Sequence, residues 1–366
     1  MSKPIHLPKD FCKSAKEAYT LPADCYIDPN VFSHEIETIF TKDWICVAHA
    51  SEVNTPNQYI TREILNESVL IIRGRDNILR AFYNVCPHRA HRIVEGDGSA
   101  RSLTCPYHAW AFNQDGTFAS ARNCNNVHNF NKHDACLTPI QCEEYAGFIF
   151  INLDSKCTKT VQDQLPGLKE SFEQALPNAA NYKRVARFTT RTPANWKNIV
   201  DNYMECYHCA PAHPGFANSV QVDKYWHKIF KNWSLQWGVA IPSDKSFQFE
   251  GESSFSGFWL WPCTMWNVNP VGMLNVIFEF PIDSETTLQN YDIFLPNEDL
   301  TQQQKDLIEW YRTVFRPEDL RLVESVQKGL HSRGYKGQGR IMADYNDSGI
   351  SEHGIAFFHN LVAARY

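Results

Sequence analysis

The sequence predicts an α+β protein of two domains: an all-β domain in its N-terminal half, and an α+β domain with an antiparallel sheet covered by helices. Three observations carry this. Between about residues 44 and 154 the chain is built of short runs rich in β-branched and aromatic residues, punctuated by turn signals. From about 155 onward, strand-like runs mix with segments of helical periodicity. At 366 residues, with 43% hydrophobic and 21% charged side chains, the chain is long enough for two cores and has an ordinary globular composition.

Residues 1–41 read as a polar lead-in followed by a helix. Asp28-Pro29 and Ser33 offer start signals, and Phe32, Ile36, Ile39 and Phe40 recur at helical spacing. Strands follow at Tyr59–Glu63, Ser68–Arg73 and Leu79–Val85, with Gly74-Arg75-Asp76-Asn77 as a turn between the second and third. Tyr145–Leu153 is a last, nearly continuous apolar strand. Residues 195–210 read as a helix closed by Pro211, and an aromatic, strand-rich stretch runs from about 225 to 295. Two helices come next. One starts near Asn297 or Thr301 and carries Leu307, Trp310, Tyr311 and Val314. The other starts at Pro317, whose fixed φ suits a first helical position, with Leu320, Val323, Val326 and Leu330 on one face.

Within the β texture lie two knuckles, Cys86-Pro-His88 and Cys105-Pro-Tyr-His108. Two thiolates and two imidazoles in this order suit a Rieske [2Fe–2S] cluster, one iron on the sulfurs and the other on the histidines. A structural zinc site is the rival, but zinc modules usually group two Cys in one knuckle and two His in the other. Here each knuckle supplies one of each. A second dense run spans Asn195 to Pro214 and contains Asp201, Glu205, His208 and His213. On one continuous helix Asp201, Glu205 and His208 would share a face, and His213 could turn back from just beyond its end. Two histidines and one carboxylate form the facial triad of non-haem iron oxygenases, though the pattern alone leaves ordinary structural histidines open. Cys206 and Cys209 also make a C-x-x-C, but at a helix C-terminus the dipole disfavours the thiolates of a redox pair. No G-x-G-x-x-G follows a strand, so a nicotinamide cofactor is not expected here.

The formal net charge of −6, with acids and bases interspersed, argues against nucleic acid and anionic membranes as partners. No apolar run approaches the ~20 residues of a membrane span. The first ten residues carry Lys3, His6, Lys9 and Asp10 with Pro4 and Pro8 between them, and no apolar signal region, so a cytoplasmic location is expected. In that setting the twelve cysteines are expected to be reduced thiols or metal ligands, not disulfides.

These motifs resemble the α-subunits of Rieske non-haem iron oxygenases over nearly the whole chain. Within that family Thr41–His49, Ser219–His227 and Gly337–Met342 resemble the carnitine-oxidising members of its quaternary-amine branch. The resemblance implies a Rieske domain at 42–154 and a catalytic domain formed by 1–41 and 155–366. It implies Cys86, His88, Cys105 and His108 as cluster ligands and His208 and His213 on a mononuclear Fe(II). The third iron ligand comes from the resemblance alone: Asp319, in Arg316-Pro-Glu-Asp319-Leu-Arg-Leu-Val-Glu324, with Glu318 and Glu324 as fallbacks. Glu205 takes the position of the carboxylate that bridges cluster and iron across subunits of a head-to-tail homotrimer, and Asp201 is left as a supporting group. Electrons would come from an NAD(P)H-dependent reductase carrying flavin and an iron–sulfur centre. Oxygen and a quaternary amine would be the substrates. The implied reaction splits carnitine into trimethylamine and malic semialdehyde, with glycine betaine or choline oxygenation as the alternative. A Rieske electron carrier without oxygenase activity is the alternative from another class.

Six tryptophans fall between 226 and 266, and aromatic faces attract quaternary ammonium groups. Tyr203, Trp259 and Trp261 are the candidates for substrate contact, the other aromatics being expected to pack under helices. Gly334–Arg340 reads as a flexible surface segment, and His91, His227, His353 and His359 as structural.

Overall fold

In the computed structural model, which describes residues 7, 11, 14–221, 224–241, 254–269 and 272–366, the chain forms two units. One is Thr41–Asp163; the other joins 1–40 to Gln164–Tyr366. Lys3, Pro4, His6, Pro8, Lys9 and Asp10, read above for a signal, lie outside the described residues, as do Val222 and Asp223. Among the described residues no helix is long and apolar enough to cross a membrane.

The smaller unit is all β. Its strands are β1 (Ile45–His49), β2 (Gln58–Ile64), β3 (Glu67–Arg73), β4 (Leu79–Tyr83), β5 (Gly98–Ser99), β6 (Leu103–Thr104), β7 (Ala111–Phe112), β8 (Phe118–Ser120), β9 (Pro139–Tyr145) and β10 (Phe148–Asn152). One antiparallel sheet runs in the order β1-β10-β9-β4-β3-β2-β5, and β6-β7-β8 form a small second sheet. Two-residue turns set the register where left-handed residues allow it. Leu65 and Asn66 join β2 to β3 with φ of 52° and 71°. Ala146 and Gly147 do the same between β9 and β10, with φ of 53° and 82°, so the expected strand at 145–153 is two strands meeting in a hairpin. Gly74–Asn77 turns as expected, Asn77 N–H donating to Gly74 C=O at 2.9 Å. The core packs Leu70, Ile72, Phe82, Leu103 and Phe112 around Cys86 and Cys105. The cysteines are thus fixed by the same burial that closes the domain.

The larger unit is built on seven antiparallel strands. They are β11 (Lys183–Thr192), β12 (Trp226–Ile229), β13 (Trp233–Val239), β14 (Ser254–Leu260), β15 (Thr264–Asn269), β16 (Met273–Asp283) and β17 (Thr286–Leu295), ordered β11-β17-β16-β15-β14-β13-β12. The helices are α1 (Asp24–Ile27), α2 (Pro29–Glu35), α3 (Val161–Gln164, at the boundary in the chain), α4 (Leu168–Ala175), α5 (Trp196–Tyr203), α6 (Cys209–Ala212), α7 (Pro214–Ala217), α8 (Gln302–Trp310), α9 (Arg316–Leu330) and α10 (His353–Ala363). Asp28 caps α2, its carboxylate accepting from Asn30 N–H at 2.8 Å, and Pro29 takes the first turn. A capping box at Thr301 and Gln304 starts α8. A π-helical turn, Tyr311–Phe315, then carries α8 into α9 without a break. The two expected helices are therefore one rod, and Pro317 lies inside it rather than at a start.

The expected helix over 195–210 ends at Tyr203. Gln236 on β13 donates from Nε2 to the Tyr203 carbonyl at 2.6 Å, taking the place of a further helical N–H, and Met204 leaves helical geometry with ψ of 11°. Tertiary hydrogen bonding overrides the local pattern here. Pro211 sits within the short α6 and closes nothing.

The N-terminal segment and the C-terminus clasp each other. Leu21 N–H donates to His359 Nδ1 at 3.2 Å. Glu35 is fully buried and accepts from Lys197 Nζ at 2.6 Å, from Trp196 Nε1 at 2.9 Å and from the Tyr366 hydroxyl. A buried carboxylate with this many donors keeps its charge satisfied.

Candidate metal centres

The two knuckles of the β unit share one backbone design. In the first, Ala90 N–H donates to Cys86 C=O (2.9 Å) and Cys86 N–H to His91 C=O (2.8 Å). In the second, Ala109 N–H donates to Cys105 C=O (3.0 Å) and Cys105 N–H to Trp110 C=O (2.8 Å). Ala90 and Ala109 both adopt φ of 56°, the left-handed kink that turns each loop back. The result buries both cysteines and leaves the histidines at the rim, their rings 4.7 Å apart, with His88 stacked on Trp110 at 4.6 Å. His108 Nδ1 is buried without a hydrogen-bond partner. Burial, with His88 and Arg89 beside it, holds this imidazole below its usual range, so it presents a neutral lone pair. A buried orphan nitrogen beside two buried thiols fits a cluster bound through two sulfurs and two imidazoles.

The second centre gathers residues far apart in sequence. His208 lies just ahead of α6, His213 between α6 and α7, and Asp319 on the first turn of α9. One ligand atom from each lies within 4.8 Å of the others. Asp319 Oδ1 is 2.9 Å from His213 Nε2 and 3.6 Å from His208 Nε2. The opposite ring nitrogens are both tied to carboxylates: His213 Nδ1 to Glu318 at 2.8 Å, and His208 Nδ1 to Glu205, which also accepts from His208 N–H at 3.1 Å. Each carboxylate draws the proton to Nδ1 and frees the Nε2 lone pair for a metal. Burial opposes charge on His208, but Asp319 and Glu205 outweigh it and push its pKa up to about 10. Burial opposes charge on Asp319 too, yet the two histidines hold its carboxyl below the usual range. Two imidazoles and a carboxylate with open positions fit a mononuclear Fe(II).

Asp201 stands apart from this centre, because the helix breaks between it and Glu205. It accepts from Tyr26 Oη at 2.7 Å and pairs with His359 Nε2 at 2.8 Å, which gives His359 a partner the sequence did not suggest. Glu324 is absent from the metal-ligand group. Cys206 and Cys209 are joined in a disulfide, their Cα atoms 4.9 Å apart, against the expectation of reduced thiols throughout. The turn that ends α5 brings them face to face.

The triad opens into a cavity roofed by α5, α9 and the π-helical turn and floored by the sheet. Tyr203, Tyr225, Phe255, Phe315 and Tyr291 line it, with Asn202, Gln236, Asn267 and Gln289 as neutral polar groups and Arg316 near Asp319 on α9. Tyr203 Oη donates to Asn267 Oδ1 at 2.7 Å, beside Gly257, where a Cβ would come within 2.7 Å of the tyrosine oxygen. Tyr225 Oη donates to Gln236 Oε1 at 2.9 Å. Of the three candidates for substrate contact only Tyr203 lines this cavity. Trp259 and Trp261 are buried where α10 covers the sheet, both against Phe358. Tyr225, Phe255 and Arg316 carried no spacing signal, because the sheet and the long helix bring them together only in three dimensions.

A Rieske [2Fe-2S] domain model matches residues 43–131, and a ring hydroxylating alpha subunit (catalytic domain) model matches residues 179–366. The chain is 64% identical to the carnitine monooxygenase oxygenase subunit of Escherichia coli (strain K12), covering 99% of this chain and 98% of that one. Two solved structures of a quaternary ammonium Rieske monooxygenase each match 99% of both chains. One, studied for carnitine oxidation by gut microbiota and inter-subunit electron transfer, is 60% identical with a TM-score of 0.96. The other, in complex with L-carnitine, is 59% identical with a TM-score of 0.92. Choline monooxygenase of Spinacia oleracea is more distant, 28% identical over 94% of this chain and 77% of that one.

Proposed function

This chain belongs to the ring-hydroxylating α-subunit family of Rieske oxygenases, and from that premise we propose that it is the oxygenase component of a carnitine monooxygenase. The observation that carries the reading is the two-histidine, one-carboxylate centre opening into an aromatic cavity, in a chain 64% identical to a carnitine-acting relative. When bound, the [2Fe–2S] cluster supplies single electrons and the Fe(II) activates dioxygen to hydroxylate the carbon beside the quaternary nitrogen, giving a product that expels trimethylamine and leaves malic semialdehyde.

The chain's own residues do the rest. His208, His213 and Asp319 hold the iron, while Cys86, His88, Cys105 and His108 hold the cluster. Glu205 and Glu318 fix the planes and tautomers of the two imidazoles from behind. The rings of Tyr203, Tyr225 and Phe255 offer π faces to a trimethylammonium group, and their bulk keeps water from the reacting carbon. The phenol protons of Tyr203 and Tyr225 are committed to Asn267 and Gln236, which holds both rings in fixed orientations. Glu205 extends the path outward: in a head-to-tail trimer it would accept a hydrogen bond from a cluster histidine of the neighbouring subunit. The oxygenase is one component of a larger system, and a flavin and iron–sulfur reductase would feed it. The test is a substrate panel of carnitine, glycine betaine and choline with purified protein, competent reductase and NADH. Trimethylamine from carnitine is the expected result, and turnover of choline or betaine in its place would overturn the assignment.

A further inference from the structure

Arg316 is the one Lys or Arg among the described residues that line the cavity, and the mechanism above gives it no task. It is 9% exposed. Its Nη1 donates to Phe188 C=O at 3.3 Å and its guanidinium lies over the Tyr291 ring, 5.7 Å from the centroid. Its Nη2 is buried and makes no hydrogen bond among the described residues. A buried guanidinium nitrogen without a partner costs free energy that a ligand can recover. Glu279, the carboxylate whose charge acts on Arg316, accepts from Gln289 Nε2 at 2.7 Å through one oxygen and leaves the other unpaired, so it makes no hydrogen bond to Arg316. Burial pushes the Glu279 carboxyl up to about 8, so near neutral pH it is mostly protonated and balances little of the guanidinium charge.

Position adds to this. Arg316 and Asp319 are three residues apart on α9, which makes them neighbours on one helix face. An anion on Arg316 would therefore lie beside the metal centre without displacing its ligand. Carnitine carries its carboxylate three carbons from the quaternary nitrogen, and choline carries none. We propose that Arg316 is the carboxylate anchor of the substrate pocket, binding the acid end of carnitine while the aromatic wall holds the trimethylammonium end at the iron. This rests on the carnitine reading above and extends it to the group that rejects quaternary amines lacking a carboxylate. A planar guanidinium suits the task, since it meets a carboxylate through two parallel N–H bonds.

The experiment measures binding by anaerobic calorimetric titration of the holoenzyme with L-carnitine and with carnitinamide, in which a neutral amide replaces the carboxylate, alongside iron content. The wild-type protein should prefer carnitine by about ten- to a hundredfold, the range of a hydrogen-bonded charge. Arg316→Gln should keep its iron, bind carnitinamide as before and lose that preference, and Arg316→Lys should retain part of it. A wild-type protein that binds both compounds equally overturns the anchor, whether or not the variants fold. An unchanged preference in Arg316→Gln overturns it as well, and so does equal weakening toward both compounds, which is the mark of a packing role. If the wild-type protein binds neither compound, the carnitine reading itself fails and the anchor falls with it.

Discussion

Glu205 and Glu318 each accept a hydrogen bond from an imidazole Nδ1–H, but of the two only Glu205 also lines the cavity. Glu318→Ala should weaken iron binding by about ten- to a hundredfold, because His213 loses the group that fixes its tautomer and plane. Chelator competition would read this, with the cluster spectrum unchanged. Glu205→Ala, supplied with excess iron, should still accept electrons at its cluster yet fail to reoxidise with dioxygen and carnitine. Rapid-mixing spectra check it, and normal reoxidation with normal trimethylamine yield would rule out the bridge. Glu279 makes a prediction of another kind. Its folded pKa of about 8 lies above the ordinary 4.5, so the folded state holds a proton that the unfolded state has lost. Stability should therefore fall as pH rises from about 4.5 to 8, by on the order of a few kcal/mol. Glu279→Gln should flatten that decline in urea titrations across the range.

The rod formed by α8, the π-helical turn and α9 places Arg316, Asp319 and Val323 on the cavity from one rigid element. A proline at Thr313 should cost about 3 kcal/mol, since it removes a helical N–H and kinks the rod ahead of Asp319. A lowered melting temperature together with lost iron is the expected pair of readouts. This element also marks how far the sequence could be read. The knuckles at 86–88 and 105–108 were legible because all their ligands fall within short loops, where spacing alone constrains geometry. Asp319 lies 106 residues from His213, and only family resemblance pointed to it. The helix expected over 195–210 stops at Tyr203 because the hydrogen bond that ends it comes from Gln236, on a distant strand. Trp259 and Trp261 offer π faces in the sequence, but which aromatic meets the cavity depends on where α10 lies across the sheet, and Tyr225 and Phe255 take that place. Strand texture and turn chemistry, being local, carried over well, with the Ala146-Gly147 hairpin the exception.

At the scale of the whole molecule, the two centres belong to units with separate cores. Cys86→Ser should abolish the visible cluster spectrum while iron at His208, His213 and Asp319 persists; an unchanged absorption spectrum would remove Cys86 from the cluster. The nesting of one unit within the other has a further consequence, for synthesis. As the chain leaves the ribosome, residues 41–163 have all their own strands and can close their core early. The segment before them cannot. Leu21 and Tyr26 wait for His359, and Glu35 waits for Lys197 and finally for Tyr366. The first helices are thus held open until residues 359–366 have been made, and a nascent chain would carry a finished electron-transfer module long before it has anywhere to send an electron.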